Sequence, residues 1–249
     1  MSRRLPMLPL LATLLTLCWP AAARGEWKSV QQVTLGTAQV LEQGAIHFGI
    51  VAPIAYGASS RLTVQSHPIL DLLLVPNLAF RYRLFDQTHY VISATGSFKR
   101  SFGQVAATTT QVGALAPGEL LGGGIATWYP NNSWAVTGGV VYAGQFDERI
   151  NNRYVNLSHG ISVSAQLHWL IQPGDLLQVS MLQRYGISAG ALDRPEITLG
   201  WAHGFQRWLA GAHLLMSLTL NDAAGYDIPG LSWLQRWPLL PYVDLWWRL

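Results

Sequence analysis

The feature that most constrains this chain is an alternation of apolar and polar residues with a period of two. Between Asn156 and Ile171, Ile161, Val163, Ala165, Leu167 and Trp169 share one parity, while Ser162, Ser164, Gln166 and His168 share the other. Successive side chains of a strand point to opposite faces, so the segment predicts a strand with one apolar and one polar face. The same reading holds for Leu78, Phe80, Tyr82 and Leu84 against Asn77, Arg81 and Arg83. It holds for Leu177, Val179 and Met181 against Gln178, Ser180 and Arg184, and for Ala212, Leu214, Met216, Leu218 and Leu220 against His213, Ser217 and Thr219. No apolar run after residue 23 reaches the roughly 18 residues of a membrane-spanning helix, so helical spans are excluded. The predicted fold class is all-β.

Alternation alone does not separate a soluble sandwich from a membrane barrel; the chemistry of the polar face does. Charged residues make up 12% of the chain, about half the usual share of roughly 25%. That shortage excludes a disordered tail, a basic nucleic-acid binder and a coiled coil. The chain holds only two lysines, Lys28 and Lys99. Its polar faces carry Ser, Thr, Gln, His, Gly and a few Arg, which suits a lumen, while the aliphatic faces suit lipid. Trp128, Tyr129, Trp134, Tyr142, Trp169, Trp201, Trp208, Trp246 and Trp247 fall near predicted strand ends, where aromatic rings favour the headgroup level. These features predict a transmembrane antiparallel up-and-down β-barrel.

The N-terminus reads as an export signal. Arg3 and Arg4 precede an apolar stretch from Leu5 to Trp19, and Ala21-Ala22-Ala23 offers a small-residue cleavage site. Pro6, Pro9 and Pro20 interrupt the stretch, which argues against an anchor. The expected organisation is a signal peptide over 1–23 and a barrel domain over 24–249. Cys18 lies inside the signal, so the barrel is expected to hold together without disulfides.

Four tight turns are legible, at Phe85-Asp86-Gln87-Thr88, Pro130-Asn131-Asn132-Ser133, Gln172-Pro173-Gly174-Asp175 and Gly204 to Trp208. Longer connections lie near 99–117, 144–155, 186–194 and 221–238. Short turns at one end and long loops at the other are the pattern of an outer-membrane barrel. Eleven strands are expected, near 44–52, 60–67, 76–84, 89–98, 118–129, 133–143, 156–171, 175–186, 195–205, 209–220 and 240–249. An even count requires another strand before residue 44, and Val30 to Thr37 is the candidate. Twelve strands are therefore predicted, with ten as the alternative.

The last strand, Tyr242-Val243-Asp244-Leu245-Trp246-Trp247-Arg248-Leu249, resembles the C-terminal assembly signal of bacterial outer-membrane barrels, although it ends on Leu249 rather than an aromatic. Thr37-Ala38, Leu41 and Gly44, followed by Pro53, Tyr56-Gly57, Arg61-Leu62 and His67-Pro68, resemble a pattern in uncharacterised outer-membrane barrels of Gram-negative bacteria. The resemblance implies an outer-membrane location and no particular activity.

The predicted lumen parity collects Arg61, Arg81, Arg83, Arg184 and Arg248 with Glu196 and Asp244, together with His47, His67, His168, His213, Gln65, Gln166 and Gln178. Five arginines against two carboxylates predict a positive interior that favours anions. The competing reading is that these groups knit the lumen into a plug, since small barrels are usually filled by side chains. The four histidines lack the short spacings of a metal site, so no metal or cofactor is expected. His159 and His203 fall on the lipid-facing parity. No His-x-Ser occurs, and Ser158-His159 point to opposite faces, so no catalytic set is assigned. The expected function is a narrow pore or solute-binding channel for small anionic or amphipathic molecules. The alternatives are a closed structural barrel whose loops bind a partner, and a lipid-modifying hydrolase. Outer-membrane lipid and the barrel-assembly machinery are the expected partners, and nucleic acid is not. The apolar loops 67–76 and 228–241 are expected to fold inward.

Overall fold

Among the described residues thirteen strands form one antiparallel sheet that closes on itself. The computed structural model describes residues 27–50, 52–68, 76–100, 118–149, 153–187, 190–192, 195–205, 211–220 and 239–248. The strands are β1 (Ile46–Gly49), β2 (Ile54–Ser59), β3 (Leu62–Ser66), β4 (Asn77–Asp86), β5 (Tyr90–Arg100), β6 (Gly118–Trp128) and β7 (Trp134–Arg149). They continue with β8 (Arg153–Gln172), β9 (Asp175–Gly186), β10 (Ala191–Leu192), β11 (Glu196–Gly204), β12 (Ala212–Leu220) and β13 (Leu239–Arg248). The two-residue β10 pairs with Tyr185 and Gly186 at the far end of β9, beyond the stretch of β9 that pairs with β11. β10 and β11 thus share one position in a wall of twelve strands. Closure is made where β13 meets β1, with His47 opposite Arg248 and Gly49 opposite Trp246. Among the described residues every strand of the twelve-strand wall pairs on both sides over part of its length, and a closed sheet of this kind is what lipid requires.

The alternation becomes two faces of the wall. Along β4, Asn77, Ala79, Arg81 and Arg83 point inward and are half-buried, while Leu78, Phe80, Tyr82 and Leu84 are exposed on the outside. Val136 and Val140 of β7, Val163 and Leu167 of β8, Val179 and Met181 of β9, Leu199 of β11, Met216 of β12 and Val243 of β13 extend that apolar outer surface. Several aromatics mark the short-turn end as expected: Trp134 and Trp169 stack with centroids 5.1 Å apart, and Phe48 stacks on Trp247 at 5.3 Å. Tyr129 and Trp246 do not follow this rule, because both are buried inside the barrel.

The count of twelve stands, but its missing member is not where the sequence pointed. Val30 to Thr37 is no strand: Val30–Gln32 forms a 3-10 turn capped by Ser29, whose Oγ accepts from the Gln31 amide. The strand is Ile54–Ser59, in the gap between the expected strands 44–52 and 60–67, and it pairs with β1 and β3. Ser60 and Arg61 make the tight turn that follows it. The expected connection 144–155 is largely strand as well, since β7 and β8 pair up to Arg149 opposite Arg153. Leu239 to Pro241, the end of the expected apolar loop 228–241, belong to β13, which begins one residue before the expected strand 240–249. The export signal, most of the loop 67–76, and 228–238 lie outside the described residues.

Residues 27–45 run through the lumen instead of along the wall. Trp27, Val30, Val33 and Ala38 form the core with Val91, Tyr129, Ala135, Leu170, Leu176, Ala202, Leu215 and Trp246 of the inner face and its short turns. This barrel therefore has an interior core built by its own N-terminal segment.

Candidate functional site

The N-terminal segment plugs the half of the barrel nearest the short turns. It enters beside the β8–β9 turn, where the Gly174 amide donates to the Trp27 carbonyl at 3.0 Å, and the Val30 amide donates to the Asn132 carbonyl at 2.8 Å. Trp27 lies against His213, with centroids 4.6 Å apart. Three wall hydroxyls then hold the backbone. Thr127 Oγ1 accepts from the Ala38 amide at 2.7 Å, Ser93 Oγ donates to the Ala38 carbonyl at 2.5 Å, and Thr63 Oγ1 accepts from the Leu41 amide at 2.7 Å. Beyond Glu42 the segment pairs with β2: the Gly44 amide donates to the Gly57 carbonyl at 2.8 Å, and the Gly57 amide donates to the Ala45 carbonyl at 2.9 Å. Buried backbone groups need such partners, so the small hydroxyl residues of the inner face have a specific purpose.

Most of the predicted lumen residues fall into three groups. His47, His213, Asp244 and Arg248 gather at the short-turn end around Trp246. His47 and His213 lie on either side of its indole, with centroids 4.0 and 3.7 Å away, and His213 is stacked parallel to it. Asp244 Oδ2 accepts from the Ala52 amide at 2.9 Å and from the Tyr242 hydroxyl at 3.2 Å, while Arg248 pairs with Glu42 of the plug at 3.4 Å. Across the lumen, His168 is fully buried beside the Leu35 backbone, and Gln166 and Gln178 lie next to it on the same inner faces. At the long-connection end Arg184 forms an ion pair with Glu196.

Arg83 pairs with Asp86 at 2.6 Å and donates to the Ser60 carbonyl. Arg61 is a correction: it sits exposed in the β2–β3 turn and does not face the lumen. His67 follows β3, where its amide donates to Asn77 Oδ1 at 2.6 Å. His203 faces outward as expected, and its Nδ1 lies 2.7 Å from Asp175 Oδ1.

Arg81 differs from the other four arginines. Its Nη1 donates at 3.0 Å to two plug carbonyls, those of Thr34 and Gln39, and Nε is buried without a partner. Among the described residues no carboxylate pairs with it. The lumen is thus less positive than five arginines imply, since Arg83, Arg184 and Arg248 have acidic partners and two of these, Asp86 and Glu42, were not counted on the lumen parity.

Trp27, Gln39, Thr63, Ser93, Thr127 and Tyr129 were missed by sequence reasoning. The three hydroxyl residues look like ordinary polar-face residues. Trp27 and Gln39 precede the first regular strand, where no periodicity flags them. Tyr129 closes the lumen at the β6–β7 turn, with its hydroxyl among Thr37, Gln39 and Thr127, and burial pushes its phenol up to about 12. Neither a protein-family model nor a characterised protein sequence matches the chain. Among the described residues no group of three or more His, Cys, Asp or Glu side chains is arranged to hold a metal.

Proposed function

We propose that this chain is a bacterial outer-membrane barrel that binds or passes small solutes through a lumen gated by its own N-terminal segment. The closed wall and its apolar outer surface support membrane insertion. Export through residues 1–23, recognition of β13 by the assembly machinery and membership among the barrels it resembles are parts of the same proposal. The observation that carries the gate is the plug itself, 27–45, which fills the short-turn half of the lumen. Between Val30 and Leu41 it is held to the wall by isolated hydrogen bonds and side-chain packing, with no continuous ladder. Individual bonds of this kind each contribute about 0.5–1.5 kcal/mol, so release of the segment costs these bonds and the packing of Trp27, Val30 and Val33 but leaves the strand ladders of the wall intact.

The test exploits a sequence whose cysteine lies only at position 18. Ala38→Cys with Ser93→Cys joins plug to wall where Ser93 Oγ already meets the Ala38 carbonyl. In planar bilayers the wild-type protein should show intermittent conductance steps. The oxidised double variant should be silent and recover on reduction. Steps that ignore the cross-link refute the gate. Silence from inserted wild-type protein in all states supports instead a closed structural barrel.

A further inference from the structure

On the wall side of the plug lies a cavity of about 110 Å³, bounded by β1–β4 and by residues 34–41. Its polar lining comprises Arg81, His47, Gln39, Gln65 and Thr63, and its apolar lining is led by Leu35, Leu41 and Pro53. On this measure a water needs only about 10–15 Å³, so the space suits several waters or one small organic molecule. Arg81 is the residue that calls for a ligand. A guanidinium in a lumen is costly unless it is paired, and among the described residues its acceptors are two neutral carbonyls. Among the described residues the carboxylates near the plug are engaged elsewhere: the exposed Asp86 with Arg83, the exposed Glu42 with Arg248, and the buried Asp244 with the Ala52 amide and Tyr242.

The other lining groups are donors waiting for an acceptor. Thr63 Oγ1 accepts from the Leu41 amide, so its own proton is free to be donated into the space. His47 Nε2 is buried without a partner, and the tautomer protonated there is a donor. Gln65 lies diagonally across the β3–β4 ladder from Arg81, since Thr63 is the residue directly opposite Arg81 and Gln65 is opposite Ala79. Inward-facing residues at that diagonal reach one another.

We propose that this cavity is a binding site for a short-chain monocarboxylate, its carboxylate on Arg81 and its alkyl tail against Leu35, Leu41 and Pro53. A planar carboxylate fits the guanidinium fork, and the apolar share of the lining favours an alkyl tail over further charge. The assignment adds a ligand class to the solute-binding reading above. It is tested without membrane or current, so failure of gating and failure of the site are distinguishable.

The experiment is calorimetric titration of the full-length mature protein, refolded in detergent, with sodium butyrate, butanol, butylammonium and inorganic phosphate. Saturable binding of butyrate alone is expected. Arg81→Gln should weaken it by roughly tenfold to a hundredfold. Because Arg81 also holds the plug, a second variant separates binding from folding. Gln65→Glu places a tethered carboxylate beside Arg81, and it should abolish butyrate binding while leaving the melting temperature unchanged or higher. No saturable butyrate binding to folded wild-type protein overturns the site. Equal binding of phosphate or butanol overturns the ligand class, and undiminished binding by folded Gln65→Glu overturns the location.

Discussion

Gly57 is where the plug leaves the lumen, and a single methyl group there should loosen it. Gly57 faces inward on β2, and a Cβ built on it would lie 1.9 Å from the Glu42 carbonyl oxygen and 2.8 Å from the carbonyl carbon. Both are backbone atoms, so no side chain can swing aside. Gly57→Ala must therefore displace Glu42 by more than about 1 Å to restore ordinary contact, and that shift breaks or stretches the paired bonds Gly44 N to Gly57 O and Gly57 N to Ala45 O. Overpacking of this kind costs about 1–3 kcal/mol, and the two hydrogen bonds account for a comparable amount. Because the clash relaxes fully when the plug undocks, the docked state alone is penalised. At about 1.4 kcal/mol per decade, opening should rise roughly fivefold to a hundredfold.

Amide hydrogen exchange reads this directly, since the Ala38 and Leu41 amides are protected only by wall hydroxyls. Exchange across 30–41 should accelerate by that factor while strands β5–β9 keep their protection. Gly122→Ala is the matched control, because a Cβ there meets nothing within 4 Å. Unaltered exchange across 30–41 in a folded Gly57→Ala protein would refute the idea that the Glu42–Ala45 contact latches the plug.

Two further outcomes are expected. Val140→Arg places a charge on the outer face of β7, where the side chain is 53% exposed; folding into bilayers should lose about 2–4 kcal/mol if the position lies near the midplane, and urea titration in liposomes measures it, with no loss refuting lipid contact at that face. Tyr129 titrates from a raised value, so its contribution is complete below pH 10 and disappears as pH rises towards about 12; exchange at Ala38 should accelerate more steeply over that interval in wild type than in Tyr129→Phe, and identical profiles would remove Tyr129 from the plug's energetics.

Much of the wall was legible because a strand's period is fixed by its backbone. Wherever a face is continuous, as in β4, β8 and β9, parity alone assigned inside and outside correctly. The tight turns at 85–88, 130–133 and 172–175 were legible for a similar reason, since Pro, Gly, Asn and Asp concentrate where the backbone must reverse. The N-terminal third was misread where local signals conflict with a tertiary cause. Ile54–Ser59 follows a proline and carries only Ala55 and Gly57 on its inner face, which weakens its alternation. Gly57 carries no side chain because the backbone of the plug crosses just above it, at Glu42. Val30, Val33 and Leu35 supply apolar residues without a strict period, and they are packed from several sides rather than on one face.

The sequence by itself determined the fold class and the parity of the regular strands, because both follow from a two-residue repeat; it reached twelve strands only by counting Val30 to Thr37, which is no strand. Only the tertiary structure decided that residues 27–45 turn inward, that Trp246 and Tyr129 pack against them, and that Arg81 meets no carboxylate among the described residues. Those outcomes depend on which side chains meet across the lumen from strands far apart in the chain. No local pattern records such meetings: a threonine that holds a plug amide and one that merely faces water occupy the same parity.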